Sequence, residues 1–142
     1  MEIADLSLSS FVLVKNKIAK ALGSKNVWWR YWGIVICSSF GTKAATFTSI
    51  IEEISKNDCE PINRVRALEY LGLYLHVNTL KDMAQLVYNS SSTGEVMLII
   101  NSMVLLTDSK YGSAASYDFE QLPDEIKNYR NVKNRLGYLN GK

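Results

Sequence analysis

Trp29-Arg30-Tyr31-Trp32-Gly33-Ile34-Val35-Ile36 decides the fold, because it can be laid on Val65-Arg66-Ala67-Leu68-Glu69-Tyr70-Leu71-Gly72 at an offset of 36 residues. Each copy reads as the opening of the second helix of a pair. A weaker third copy starts near Val96-Met97, 31 residues further on, with methionine in place of the arginine. Two-helix repeats of this length belong to the solenoid class. One helical hairpin cannot bury both sides of its apolar face, so three stacked pairs share a continuous core.

The rest of the chain fits this pattern. Apolar residues recur at helical spacing between Gly and Asn/Asp/Ser clusters, and only two prolines, Pro61 and Pro123, interrupt the sequence. A first helix is expected from Ser9 or Ser10 to Gly23, carrying Phe11, Val14, Ile18 and Leu22 on one face. A second runs from about Val27 to Phe40 and stops at Gly41; a third is capped by Thr42 and ends at Ser55-Lys56-Asn57-Asp58. Pro61 opens a fourth, which continues to about His76. Leu80 to Val87 forms a short fifth helix, and Thr93 caps a sixth over Glu95 to Thr107. After an irregular stretch from Asp108, a last helix is expected over about Asp124 to Leu139. Short links between helices mean antiparallel neighbours. The expected organisation is therefore all-α: residues 1–108 as helical repeats, and 109–142 as an irregular linker and a C-terminal helix packed on the same domain.

Bulk properties narrow the function. With 142 residues, 47% of them hydrophobic and a net charge of +2, the chain is long enough for a core and has no strong overall pull toward nucleic acid or anionic lipid. The N-terminus lacks a basic segment followed by an apolar one, and Asn101-Ser102 interrupts the apolar run Val96 to Leu106, so no signal peptide or membrane span is expected. Cys37, Cys59 and the single His76 cannot make a metal cluster. Both thiols read as small hydrophobes on or beside helices, with a disulfide possible by count. His76 has no evident acid/base companion, and no phosphate loop or nucleophile elbow is present. No cofactor is expected in this chain.

Trp28-Trp29-Arg30-Tyr31-Trp32 combines the residue types of binding hot spots. Helical spacing puts Trp28 and Trp32 on one face and Trp29 on another, one face serving the core and the other an interface. Trp28, Trp29 and Arg30 are thus the candidate interaction surface. Arg30 and Arg66 are expected to span the seams between repeats, the stem packing while the planar fork reaches a carboxylate or loop carbonyls. Asp58 and Glu60 are the candidate partners of Arg30, and Asn101 is grouped with the two arginines as an inter-repeat structural residue. The Lys127, Arg130 and Lys133 stripe reads as a solvated face.

Glu2-Ile3-Ala4-Asp5-Leu6, Trp28-Trp29-Arg30-Tyr31-Trp32-Gly33, Val65-Arg66-Ala67-Leu68-Glu69-Tyr70-Leu71, and Glu95-Val96-Met97 with Asn101 together resemble the HEAT-like C-terminal region of bacterial sulfatases of the arylsulfatase A and heparan sulfatase type. The likeness covers about Glu2 to Thr107, and Arg-Tyr-Trp-Gly is its most specific element. It implies a HEAT-like solenoid that forms the C-terminal, non-catalytic piece of a sulfuric ester hydrolase. Its partner would be the upstream catalytic domain, which supplies the formylglycine and the calcium ion; the setting would be periplasmic or secreted, behind an upstream signal peptide. Cys59-Glu60-Pro61 approaches the formylglycine motif Cys-x-Pro-x-Arg, but Asn63 stands where arginine is needed, so Cys59 reads as a turn residue. An independent HEAT-like protein-interaction adaptor is the alternative. Neither nucleic acid nor a membrane is an expected partner.

Overall fold

The computed structural model describes residues 10–90, 92–107 and 122–139, and all of its regular structure is helical. The Glu2 to Leu6 element of the resemblance and the irregular stretch 108–121 lie outside the described residues. The chain divides into two compact units, Met1–Val77 and Asn78–Lys142. The expected division after residue 108 falls at the edge of that undescribed stretch.

The first unit holds α1 (Phe11–Leu22), α2 (Val27–Phe40), a 3-10 segment (Gly41–Phe47), α3 (Thr48–Asn57) and α4 (Pro61–Tyr74). Helix α2 starts where the Asn26 side chain accepts the Trp28 and Trp29 amides at 2.9 and 3.4 Å, satisfying two of the donors that a helix start leaves open. It ends at Gly41, whose φ of +60° suits glycine. The buried Tyr70 hydroxyl of α4 donates to the Gly41 carbonyl at 2.8 Å, pinning this corner to the core. Where a third helix capped by Thr42 was expected, the chain makes the 3-10 segment first and turns α-helical only at Thr48. Hairpins α1–α2 and α3–α4 pack, and α2 and α4 touch each other. Ile18, Leu22, Ile34, Ile36, Ile51, Ala67 and Tyr70 form the centre of the core.

The second unit holds α5 (Leu80–Asn89), α6 (Thr93–Leu106), α7 (Asp124–Lys127) and α8 (Arg130–Leu139). Ser92 rather than Thr93 caps α6, accepting the Glu95 amide at 3.5 Å. The expected single last helix is broken at Asn128-Tyr129 into α7 and α8, and α8 packs on α6.

Burial follows the same register in each hairpin. Helices α2, α4 and α6 are each 14 residues long, and in each the seventh, eighth, tenth and eleventh positions are buried. These are Gly33, Ile34, Ile36 and Cys37; Ala67, Leu68, Tyr70 and Leu71; and Ile99, Ile100, Ser102 and Met103. The preceding segments match too. Val14, Ile18, Ala21 and Leu22 correspond to Phe47, Ile51, Ile54 and Ser55, and to Thr79, Met83, Leu86 and Val87, all buried.

This register corrects the offset read from sequence. The second helices begin at Val27, Pro61 and Thr93, which are 34 and then 32 residues apart rather than 36 and 31. Helix α4 carries arginines two places apart, Arg64 and Arg66, and the sequence match aligned Arg30 with the second; the structural equivalent is Arg64, fourth in its helix as Arg30 is in α2.

One further expectation changes. The contiguous helical stretch Val27–Asn57, with a mean hydropathy of 1.4 over its best 18-residue window, is long and apolar enough to cross a membrane by length and composition. It is not one straight helix, because Gly41 and the 3-10 segment bend it, and Ile34, Ile36, Cys37, Ala44, Ile51 and Ile54 from both halves enter one core.

Candidate interaction surface

Arg30 anchors the start of α2. Its Nε donates to Asp58 Oδ2 at 2.6 Å and its Nη2 to Asp58 Oδ1 at 3.1 Å, a two-pronged ion pair from α2 to the turn before α4. Its Nη1 also donates to the Ser24 and Lys25 carbonyls at 2.9 and 3.1 Å. The Arg30 side chain is 14% exposed and that of Asp58 only 1%. Of the two expected carboxylates Asp58 is the partner, while Glu60 contributes its amide to Asp58 Oδ1 at 2.9 Å. Asn63, fully buried, donates to the Val27 carbonyl at 3.1 Å and to Asp58 Oδ2 at 3.4 Å. Burial acts to raise the Asp58 pKa, but hydrogen bonds from Arg30, the Glu60 amide and Asn63, with the Arg30 charge, hold it below the ordinary carboxylate value.

Arg30 therefore faces inward and joins the two hairpins of the first unit. Arg66 has a different role: its Nη1 donates to both Glu69 oxygens at 2.9 Å within α4, and its guanidinium lies near the Tyr31 phenol of α2. Arg64 Nε donates to the Ser55 carbonyl at 3.3 Å, tying α4 back to α3. Asn101 is exposed and lines a cleft between α6 and α8.

The tryptophans occupy the outside. Trp28, Trp29 and Trp32 are 59%, 50% and 39% exposed, so neither of their two faces is core. Tyr31 links two of them edge to face, with ring centroids 6.0 Å from Trp28 and 5.3 Å from Trp32. The cluster is thus held in shape from inside. Asn26 fixes the helix start, and Arg30 locks it to Asp58. Gly33 lets α1 close in below, since a Cβ there would lie 3.0 Å from Leu22 Cδ2 and 3.3 Å from Ala21 Cβ.

The remaining candidates have structural surroundings. Both cysteines are free thiols; burial pushes Cys37 up to about 12, which keeps it protonated, and exposed Cys59 lies 3.9 Å from Arg30 Nη2 in the turn before α4. His76 follows the end of α4 with φ +58°, the left-handed conformation common just past a helix end. Among the described residues, no group of three His, Cys, Asp or Glu side chains is placed to hold a metal ion. The pairing of Arg30 with Asp58 was among the sequence expectations, whereas the part of buried Asn63 in that lock was not anticipated. No family model, curated protein or solved structure matches this chain.

Proposed function

We propose that this chain is a HEAT-like helical-repeat module, the C-terminal domain of a sulfatase, which supports the catalytic domain by docking the Trp28-Tyr31-Trp32 surface against it. The carrying observation is that three exposed tryptophans, two of them bridged by Tyr31, stand on a hairpin whose core cluster includes none of them. Large, pre-organised aromatic surface is what a partner buries at the centre of a stable interface. The threefold burial register supports the repeat part of the reading. The sulfatase part rests on the Arg30-Tyr31-Trp32-Gly33 resemblance, whose residues each have a physical task here: Arg30 locks the hairpins, Tyr31 bridges the rings, Trp32 offers surface and Gly33 permits close packing.

Adding the purified chain to the catalytic domain of the parent sulfatase tests this. A complex whose sulfate-ester hydrolysis and solubility exceed those of the catalytic domain alone is expected. Full solubility and activity of the catalytic domain without this region would refute the proposal. The independent-adaptor reading draws on the same exposed rings, and a stable complex with a protein unrelated to sulfatases, lost on Trp28→Ser, would favour it instead.

A further inference from the structure

The second unit contains a cleft of about 440 Å³ between α6 and α8, lined by Met97, Asn101, Asn131, Asn134, Arg135 and Tyr138. On α8 the lining residues fall at i, i+3, i+4 and i+7, one continuous face, and on α6 Met97 and Asn101 fall at i and i+4. The adjoining side of α8 packs through buried Val132 and Leu139. The polar face is therefore a wall, closed on one side by a neighbouring helix, and its volume lies in the range of small-ligand sites.

Its chemistry is specific. Three carboxamides each offer two donors and an acceptor, a pattern that matches neighbouring hydroxyl groups, which also donate and accept. Tyr138, half exposed, adds a flat ring edged by a hydroxyl, and Met97 an adaptable apolar contact. Arg135 forms no ion pair among the described residues, and α8 carries Arg130, Lys133 and Arg135 with no acidic residue. A guanidinium fork that pairs with no carboxylate among the described residues, beside three carboxamides, suits a hydroxylated ring bearing one anionic group.

We infer that the α6–α8 cleft binds a sugar acid, its anionic group on Arg135 and its hydroxyls on Asn101, Asn131 and Asn134. The cleft residues belong to the second unit and the tryptophans to the first, so the inference is tested on different side chains from the docking proposal. The test is a titration of the full 15N-labelled chain with glucuronate, with glucose and with sodium acetate. Glucuronate is expected to move the side-chain amide signals of Asn101, Asn131 and Asn134 saturably, with a dissociation constant on the order of millimolar. Arg135→Gln, an exposed change that leaves the fold intact, should weaken glucuronate at least about tenfold. Asn131→Ala should weaken it while leaving acetate shifts unchanged. Three results overturn the inference: no saturable shift with glucuronate, identical shifts with acetate, which mark an anion contact only, or glucose binding as tightly as glucuronate.

Discussion

Asp58 shows how much a single side chain carries here. It sits 1% exposed between Arg30, Asn63 and the Glu60 amide, so replacing it by alanine strands a guanidinium that has lost both of its charged hydrogen bonds. Asp58→Ala should cost about 3 kcal/mol in urea unfolding, the usual penalty for removing one partner of a buried pair. Arg30→Lys should cost less but remain measurable, because an ammonium cannot reproduce the two-pronged geometry. The pH dependence has a definite sign. The folded Asp58 pKa lies below the ordinary 3.8, so this contribution is fully present above that value and is lost as pH falls through the lower folded value. Below about pH 4, the stability difference between wild type and Asp58→Asn should shrink, as read from denaturant midpoints at stepped pH. The candidate partners of Arg30 were legible in sequence because the turn before a proline-started helix was. Burial of Asn63 was not, since asparagine usually sits outside and only the contact with the Val27 carbonyl, 36 positions away, explains it.

At the scale of elements, the buried register makes Ile34, Leu68 and Ile100 equivalent positions in α2, α4 and α6. Each is at most 3% exposed, and each should lose about 3 kcal/mol on truncation to alanine, measured by the same urea titration. Under the 36-residue offset the partner of Ile34 would be Tyr70 and that of Gly33 the half-buried Glu69, so comparable losses at Ile34 and Leu68 discriminate the two alignments. Gly33→Val should cost at least about 2 kcal/mol, since Leu22 is itself core and cannot swing away from the added methyls. Helix existence was readable from periodicity and glycine stops: α2 ends at Phe40, just before Gly41, as its sequence indicates. The 3-10 segment and the break at Asn128-Tyr129 were not. Ala44 and Phe47 serve a helical pattern of either pitch, and the chain chooses the tighter one where Gly41 turns it under Tyr70. The repeat was visible, but two closely spaced arginines in α4 shifted its register.

For the whole molecule, stability and binding should separate. The core of the first unit contains none of Trp28, Trp29 and Trp32, so their loss should alter folding little, while an interface built on them should lose most of its affinity. Sequence alone assigned one ring face to the core, whereas Trp28, Trp29 and Trp32 are all exposed. The deciding measurement compares a sulfatase that carries this region intact with the same enzyme bearing Trp28→Ser and Trp32→Ser. Soluble yield and sulfate-ester hydrolysis should fall at least about tenfold, matching loss of a central aromatic anchor, while the isolated chain with the same changes keeps its unfolding midpoint within about 1 kcal/mol. Unchanged yield and activity in the doubly substituted enzyme would contradict the docking role of this surface.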